Sequence, residues 1–396
     1  MPLCAEDRIW PALDSFRIEL PSWGFANTGT RFGKFIQPAA ATCIEEKFAD
    51  AGQVHKLTGV CPSIALHVLW DLPNGVDSVP AIRQSASRYG VRPGSINPNT
   101  FQEQEYKYGS LANPDLAIRE RALAHLAESV AIAQRLSSRD ISLWFADGSN
   151  YPGTAHIRQR KRWLLEGLRE THSRLAPDER LLVEYKPFEP AFYHTDIADW
   201  GMALLLARAA GPQAKVLVDT GHHYVSQNIE QIVAWLLDEG MLGGFHFNDR
   251  RYADDDLTIG SIDPYQVFRI FHEIAFFAFE TGQAPDIAYM IDQSHNLKGK
   301  LEAMVQTVMT AQELFAKAAL VDHKRLASAQ TRCALIEAEE CLRDAFSTDV
   351  RPVIESWRKS KGLPANPLQA LYESGYVEKI GAERAQNNRE AMSSYA

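Results

Sequence analysis

The stretch LLVEYK (residues 181–186) is the first of four short apolar runs that decide the fold of this chain. Each run has the length of a buried strand and ends in carboxylate or imidazole side chains. The other three are KVLVDTGHH (215–223), GGFHFND (243–249) and IAYMIDQSH (287–295). Polar residues at the carboxyl ends of successive buried strands build the active site of a parallel barrel. The four runs therefore predict a barrel with a functional site at that end.

The remainder of the first 300 residues supports this architecture, because strand and helix patterns alternate eight times. The eight strands are predicted at residues 17–25, 64–69, 91–97, 141–146, 181–186, 215–220, 243–248 and 287–291. Helix signals lie between them: Asn113-Pro114-Asp115 supplies a capping side chain, a proline and an acid, and Asn228 is a second predicted cap. We assign the chain to the α/β class, as a (β/α)8 TIM barrel over residues 1–300 with a C-terminal helical extension.

Residues 301–396 have a different pattern, with helical spacing of apolar residues and no predicted strand or ligand-like cluster. Helices are predicted from Leu301 onward and through 322–346 and 350–360, whereas periodicity is weak beyond Gly362. Two roles fit this pattern equally well. The extension packs on a neighbouring subunit in an oligomer, or it forms a helical layer that closes the barrel of its own chain.

Composition limits the classes of partner. A formal net charge of −9 argues against a nucleic-acid partner, because surfaces that bind a phosphate backbone are basic. No apolar run has the length of a membrane span, so we expect no membrane partner. The five cysteines are odd in number and form no CxxC, which favours buried thiols in a reducing compartment. The first residues carry no basic region followed by an apolar stretch, and we expect a cytoplasmic protein.

The carboxylates and imidazoles at the ends of the four runs predict two adjacent metal sites. One side chain from each of four successive strands would lie at the same height, and such donors suit manganese, cobalt or zinc. These are Glu184, Asp219, His246 and Asp292. A second ion would share Asp219 and use donors from the following loops, namely His222, Asp254 and Asp256. Residues 254 and 256 face the same way if their segment is extended. An acidic run on its own is usually a solvated turn, but its place beside two histidine-bearing runs favours a ligand role.

Other side chains at the same end of the barrel are candidates for contacts with a substrate. Lys186 follows Glu184 by two residues, so it either faces an anionic oxygen near the metals or is a surface lysine. His67 either moves a proton to or from a sugar ring oxygen or is an ordinary core histidine. Aromatic walls suit the apolar faces of sugars, although large aromatic residues are also ordinary core. The aromatic candidates are Trp23, Phe32, Trp70, Phe101 and Trp144.

Nine segments of the chain resemble the bacterial L-rhamnose isomerase family, in particular its branch with broad aldose specificity. The resemblance runs from about Pro21 to past Asn296, and the segments are highly specific when taken jointly. They are PSWGFANTGTRF (21–32), LHVLWD (66–71), NPNTF (97–101), YKYGSL (106–111), LWFADGSNYPG (143–153), EYKPFEPAFY (184–193), LVDTGHH (217–223), GGFHFNDRRYADDDL (243–257) and MIDQSHN (290–296). That family shares the barrel of xylose isomerase and interconverts aldoses and ketoses with two divalent ions.

The resemblance implies a role for each matched position. The first four ligands would hold a structural ion, and His222, Asp254 and Asp256, with Asp219 as a bridge, would hold a catalytic ion. Lys186 and Ser294 would lie beside the reacting carbons or their water, Asp292 would be counted with the catalytic residues as well, and His67 would open the ring. Mn²⁺ is the most expected ion, with Co²⁺ or Zn²⁺ as alternatives, and the family is usually tetrameric. The implied reaction converts L-rhamnose to L-rhamnulose, with L-mannose, L-lyxose and D-allose as related substrates.

The chain departs from the family at Leu69, where relatives are expected to have proline, and it carries little of an N-terminal helix. Three other functions are compatible with parts of this pattern. A ketose 3-epimerase on the same barrel would use one metal and two glutamates, whereas the last strand here offers Asp292. A metal-dependent endonuclease would need a basic face that the net charge of −9 argues against. A non-catalytic binding scaffold would tolerate loss of Glu184 or Asp292.

Overall fold

The computed structural model describes residues 5–27, 29–30, 33–189, 193–252, 254, 256–294 and 297–390. Eight parallel strands form one sheet in which each strand pairs with its neighbours in chain order. They are β1 (Leu20–Pro21), β2 (Ser63–His67), β3 (Arg92–Asn97), β4 (Asp140–Leu143), β5 (Arg180–Glu184), β6 (Ala214–Asp219), β7 (Leu242–Phe247) and β8 (Ala288–Ile291). The predicted (β/α)8 barrel is confirmed, although most strands are shorter than the segments predicted from the sequence.

The first and last strands meet, so the sheet closes on itself. The backbone N–H of Glu19 donates to the carbonyl of Tyr289 at 2.8 Å, and the N–H of Ile291 donates to the carbonyl of Glu19 at 2.9 Å. This closure brings Trp23, just beyond β1, next to Asp292, just beyond β8. Side chains that follow the first and the last strand therefore lie at one common mouth, where the indole N–H of Trp23 donates to Asp292 at 2.7 Å.

Fourteen helices are found in the described part of the chain. The helices that alternate with the strands are α2 (Ile44–Thr58), α3 (Val79–Tyr89), α4 (Leu116–Leu136), α5 (Ile157–His172), α6 (Trp200–Ala210), α7 (Ile229–Asp238), α8 (Pro264–Thr281) and α9 (Lys300–Ala318). Asn228 caps α7 as predicted, with its side chain accepting from the N–H of Gln231. The cap of α4 is Asp115 rather than Asn113, because the helix begins after the proline and Asp115 accepts from the N–H of Ala117.

Alternation along the strands separates two layers of core. Leu181 and Val183 point outward and join the large core between the sheet and the helices. The intervening Leu182 points into the barrel, where it packs with Leu217 and Met290. These three interior side chains form an apolar floor. Because side chains two residues apart share a face, the next interior residues on the same strands lie directly above that floor.

The ninth helix belongs to the ring of helices around the barrel. It follows β8 and packs against α8 through Phe271 and Phe315, whose ring centroids are 5.3 Å apart, and it contacts α2 through a hydrogen bond from Gln312 to the carbonyl of Thr58 at 3.1 Å. Because α9 packs against barrel helices on both sides, the barrel domain extends to Ala318. The division of the chain at residue 300 and a role of the extension in oligomerisation stay predictions.

Helices before and after the barrel cover it in the same chain. They are α1 (Ala5–Ser15), α10 (His323–Thr331), α11 (Leu335–Ser347), α12 (Arg351–Ser360), α13 (Pro367–Glu373) and α14 (Tyr376–Glu390). The helical region predicted over 322–346 consists of α10 and α11, which are separated where Cys333 has a positive φ of 54°. On α14, Arg384 forms a bidentate ion pair with Asp50 of α2 at 2.7 and 2.9 Å. No helix in the described part of the chain is long and apolar enough to cross a membrane.

Candidate metal centre and active site

A cavity of about 250 Å³ lies at the carboxyl ends of the strands, above the apolar floor. Its lining includes most of the residues singled out from the sequence, together with three that were not. The lining residues are Trp23, His67, Trp70, Asn97, Pro98, Phe101, Ser142, Trp144, Glu184, Lys186, His222, His246, Asp254, Asp256 and Asp292. Side chains scattered over 270 positions of the chain therefore meet in one place, because each follows the same end of a barrel strand.

The strands place the first group of candidate ligands. Glu184 lies two residues after Leu182, Asp219 two after Leu217, and Asp292 two after Met290, so each carboxylate stands over one residue of the floor. His246 of β7 completes the group, and one donor atom from each of the four lies within 4.8 Å of the others. The spacing is that of atoms that converge on a common cation.

The imidazole of His246 is the best test of whether this group fits a metal. Its Nδ1 lies 3.2 Å from Glu184 Oε2, 3.7 Å from Asp292 Oδ2 and 4.0 Å from Asp219 Oδ2. Both ring nitrogens are buried, and neither makes a hydrogen bond of acceptable geometry within the described residues. Buried polar atoms are nearly always partnered. A nitrogen aimed at three carboxylate oxygens without bonding to them has the environment of a metal ligand.

A second group shares Asp219 with the first. One donor atom each of Asp219, His222 and Asp254 lies within 4.8 Å of the others. His222 Nε2 is 3.4 Å from Asp254 Oδ2 and 4.0 Å from Asp219 Oδ2. The same Asp219 oxygen therefore faces an imidazole of each group. Its other oxygen accepts hydrogen bonds from the N–H of Gly221 at 2.6 Å and from the Asn248 amide at 3.1 Å, which fixes the orientation of the carboxylate.

The orientation of His222 is set by the strand beside it. Its Nδ1 donates to the backbone carbonyl of Tyr185 at 2.9 Å, which leaves Nε2 facing the carboxylates of Asp254 and Asp219. The hydroxyl of Tyr185 lies 2.6 Å from Nε2 of His223, and Arg250 Nε donates to the carbonyl of His223 at 2.7 Å. Tyr185 thus holds the turn from both its backbone and its side chain, a role that sequence reasoning missed.

Asp256 lines the cavity but does not belong to the second group of three. The sequence argument placed residues 254 and 256 on one face of an extended segment. Both residues line the cavity, as that argument expected, although Asp256 has a positive φ of 47° and is therefore not in an extended conformation. Its role as a ligand stays a prediction.

The carboxylates of the cavity carry more negative charge than its positively charged side chains can balance. Burial raises the pKa of Asp219 to about 7, with the carboxylate of Glu184 adding to the rise despite the opposing effect of His222. Burial and the carboxylate of Asp254 likewise raise the pKa of Asp256. Burial alone would lower the pKa of His246, but the Glu184 carboxylate outweighs it and raises this pKa to about 9. The donor set is thus one that divalent cations would stabilise.

Lys186 is a cavity residue and not a surface lysine. Its ammonium lies 2.8 Å from Asp254 Oδ2 and 3.0 Å from Glu189 Oε2, and it stands 5.2 Å from the centre of the Trp144 ring. Burial opposes its charge, but the two carboxylates outweigh burial and raise its pKa. Ser294 is half-buried two residues beyond Asp292 and is not among the described residues that line the cavity. Its proposed catalytic role is therefore untested.

The opposite side of the cavity is aromatic. The imidazole of His67 stacks on Trp70 with centroids 3.7 Å apart and an angle of 20°, and the edges of Trp23 and Phe101 complete its surroundings. Burial lowers the pKa of His67 to about 4, so the ring is neutral near pH 7. Trp144 packs edge-on against Phe101 at 4.8 Å. Phe32, the fifth predicted aromatic contact, lies outside the described residues.

The loop after β2 explains the departure at Leu69. Leu69 has a φ of 82°, which a proline ring cannot adopt because it holds φ near −65°. A buried carboxylate, Asp71, supports this turn by accepting from the N–H of His67 at 2.7 Å and from the ammonium of Lys47 at 2.6 Å. Sequence reasoning passed over both Asp71 and Lys47, since an acid after a strand and a lysine in a helix carry no distinctive signal.

Comparison with known proteins agrees with this architecture. Residues 64–298 match the family described as xylose isomerase-like TIM barrel, and the chain belongs to that family. A protein of Rhizobium meliloti named "Probable sugar isomerase" is 38% identical over 96% of this chain and 88% of its own length. A protein of the same description from Mesorhizobium japonicum is 37% identical over 96% of this chain and 89% of its own length. A solved structure of D-psicose 3-epimerase in the presence of D-fructose shares the fold, with a TM-score of 0.51, 13% identity, and coverage of 80% of this chain and 99% of that one.

Proposed function

We propose that this protein is an aldose–ketose isomerase that holds two divalent cations and moves a hydrogen between C1 and C2 of an open-chain sugar. The observation that carries the proposal is the shared oxygen of Asp219, which faces the imidazoles of His222 and His246 from 4.0 Å each. A carboxylate in this position could serve both groups of candidate ligands, and two adjacent cations held there would bind neighbouring oxygens of one substrate. The two relatives described as sugar isomerases support the substrate class.

The residues present would divide the work as follows. One cation would be held by Glu184, Asp219, His246 and Asp292, and the other by Asp219, His222 and Asp254 with Asp256 beside them. When bound, the cations supply electrostatic stabilisation of negative charge that develops on the substrate oxygens. The ammonium of Lys186 faces the same region and would hold a substrate oxygen there, with Ser294 beside the reacting carbons.

Ring opening is assigned to His67. Because its imidazole is neutral near pH 7, it can accept the proton of the anomeric hydroxyl and then, as the imidazolium, pass that proton to the ring oxygen. Its stacking on Trp70 fixes the plane of the ring. Trp23, Phe101 and Trp144 would pack against the apolar faces of the sugar and exclude water from the reacting carbons.

We propose L-rhamnose as substrate and L-rhamnulose as product, with L-mannose, L-lyxose and D-allose as related aldoses and Mn²⁺ as the preferred ion ahead of Co²⁺ or Zn²⁺. Support comes from the nine segments that resemble L-rhamnose isomerases. We further propose a cytoplasmic homotetramer. The four cysteines in the described part of the chain are free thiols, which suits a reducing compartment.

The test is a panel of aldoses incubated with the purified protein and MnCl₂, assayed for ketose formation, with metal counted per chain. Turnover of L-rhamnose with two ions per chain is the expected result. No ketose from any aldose would refute the isomerase assignment. One ion per chain, together with inversion at C3 of a ketose, would replace it with the 3-epimerase. Deuterated water separates the two routes of hydrogen transfer, since full retention of the C2 hydrogen excludes a proton that exchanges with solvent.

A further inference from the structure

Two polar groups on the β4 side of the cavity have no role in the function proposed above. The hydroxyl of Ser142 and the indole N–H of Trp144 are both buried, and neither has a hydrogen-bond partner within the described residues. Both residues line the cavity, and Ser142 is only 2% exposed. Buried hydroxyls and N–H groups are nearly always satisfied, because leaving one without a partner costs free energy.

Other buried serines of this chain show the contrast. Ser110 donates to Asp147 at 2.6 Å, Ser129 donates to the carbonyl of His125 at 2.8 Å, and Ser95 donates to Glu19 at 2.6 Å. Each of these hydroxyls stabilises the fold, and none of the three lines the cavity above the floor. Ser142 differs because its position in β4 turns it into the barrel, where alternation would otherwise place an apolar residue.

We propose that Ser142 and the Trp144 indole form a recognition site for a hydroxyl group of the sugar, at the end of the substrate away from the reacting carbons. The inference rests on the proposed function and deepens it. Ser142 lies on β4 and Trp144 follows it by two positions, just beyond the end of that strand, and both line the cavity. In register, Ser142 lies opposite Leu182, one interior layer below Glu184, which places its hydroxyl deep in the cavity.

The chemistry of the two groups defines what they recognise. An indole N–H only donates, whereas a serine hydroxyl donates and accepts, so together they suit an oxygen that is itself a hydroxyl. Phosphate recognition would require cations on this side. Lys186 is the only lysine or arginine among the described lining residues, and it is engaged with Asp254 and Glu189. The site is therefore built for an unphosphorylated sugar.

Selectivity follows from the cost of leaving these atoms without a partner. A pocket that hydrogen-bonds a substrate hydroxyl discriminates against an analogue that lacks it, because its own polar groups are then left desolvated. Ser142 thus becomes a specificity-determining residue for one hydroxyl position among C3 to C5. Sequence analysis missed it, although a serine in the otherwise apolar ISLWFA run is the signal that could have found it.

The experiment compares Ser142→Ala with the wild type on L-rhamnose and on analogues each lacking one hydroxyl between C3 and C5. We expect Ser142→Ala to lower kcat/KM on L-rhamnose about tenfold, mainly through KM, since a neutral hydrogen bond is lost. On the one analogue that lacks the recognised hydroxyl, wild type and variant should be equal. Ser142→Thr, which keeps the hydroxyl, should retain the wild-type preference.

Ser129→Ala is the matched control, because it removes a buried hydroxyl outside the cavity. It should leave the ranking of the sugars unchanged, and both alanine variants should bind the same number of metal ions. An equal loss on every analogue, or no loss at all, would overturn the inference and indicate a bound water as the partner. A wild-type protein that turns over no aldose would instead refute the proposed function on which the inference rests.

Discussion

The two halves of the cavity are built in different ways. Strands β5 to β8 hold the first group of candidate ligands at their ends, above the apolar floor, and the loops that follow β6 and β7 carry His222 and Asp254. The half formed after β1 to β4 carries the aromatic side chains, and most of these stand on loops: Trp23 in a short 3₁₀ helix, Trp70 beyond the left-handed Leu69, and Phe101 in a turn. A position on a strand is rigid, whereas a position on a loop can change with the loop.

This difference suggests a division of labour. Cation ligands must be held within a few tenths of an ångström, and parallel strands supply that precision because their register is fixed by backbone hydrogen bonds. Selection among sugars depends on the shape of a wall, and loops can vary that shape without disturbing the chemistry. Substitutions in the charged half, after β5 to β8, should therefore lower cation binding and turnover together. Substitutions in the aromatic half, after β1 to β4, should weaken substrate affinity.

The largest effect is expected for Glu184→Gln. The amide keeps the shape of the side chain but removes the charge that faces both His222 and His246 at 3.2 Å. Turnover should fall more than about 1,000-fold, with loss of at least one bound ion. Calorimetric titration with Mn²⁺ measures the ion count, and Glu273→Gln, a carboxyl on α8 outside the cavity, should leave it unchanged. Full ion binding by Glu184→Gln would contradict the assignment of the charged half of the cavity as a metal site.

The pH dependence of cation binding should be the next largest effect. In the metal-free protein the pKa of His246 is about 9, and a cation binds only the neutral imidazole. Affinity should therefore rise about tenfold per pH unit between 6.5 and 9. The same raised pKa stabilises the metal-free fold fully below pH 6.5, and this contribution is lost as pH rises through 9. Thermal unfolding with and without Mn²⁺ at these pH values tests both directions, and a flat affinity profile would argue that His246 is not a ligand.

Tyr185→Phe tests the support behind the strand ends. It removes only the hydroxyl that lies 2.6 Å from His223 and leaves the carbonyl that orients His222. Loss of such an outer contact typically weakens metal binding about 10- to 100-fold. We expect the cation at His222 to be weakened and the cation at His246 to be little changed. Tyr289→Phe is the control, since Tyr289 lies in an aromatic cluster on β8 and makes no hydroxyl hydrogen bond in the described part of the chain. Equal cation affinities of the two variants would show that the Tyr185 hydroxyl does not support the cation site at His222.

The smallest effect is expected for Trp70→Ala in the aromatic half. Trp70 is 43% exposed, so its loss should cost little stability, but it stacks on His67 and lines the cavity. KM for the preferred aldose should rise about tenfold, with the ion count unchanged. Trp235→Ala removes a tryptophan that is 55% exposed on α7 and should change neither quantity. A loss of bound ions in Trp70→Ala would show that the two halves are coupled.

The charged half could be predicted from sequence to a large extent. The period-two pattern of LLVEYK places Glu184 on the same face as Leu182, and the barrel rule then places that face at the mouth. The backbone conformation of Asp256 could not be predicted in this way, because its φ of 47° is a property of the loop, which no alternation rule describes. Helices α13 and α14 were not predicted because the periodicity beyond Gly362 is weak; contacts with the barrel, such as the Arg384–Asp50 ion pair, stabilise α14 instead.

The sequence by itself determined the eightfold alternation of strand and helix, the class of the fold and the donor types at four strand ends, because each is a local pattern with a fixed period. Only the tertiary structure decided that one oxygen of Asp219 faces both imidazoles, that Leu69 turns Trp70 onto His67, and that the hydroxyl of Ser142 has no partner in the described part of the chain. These are distances between residues far apart in the chain. They follow from barrel closure and loop geometry, which no short stretch of sequence encodes.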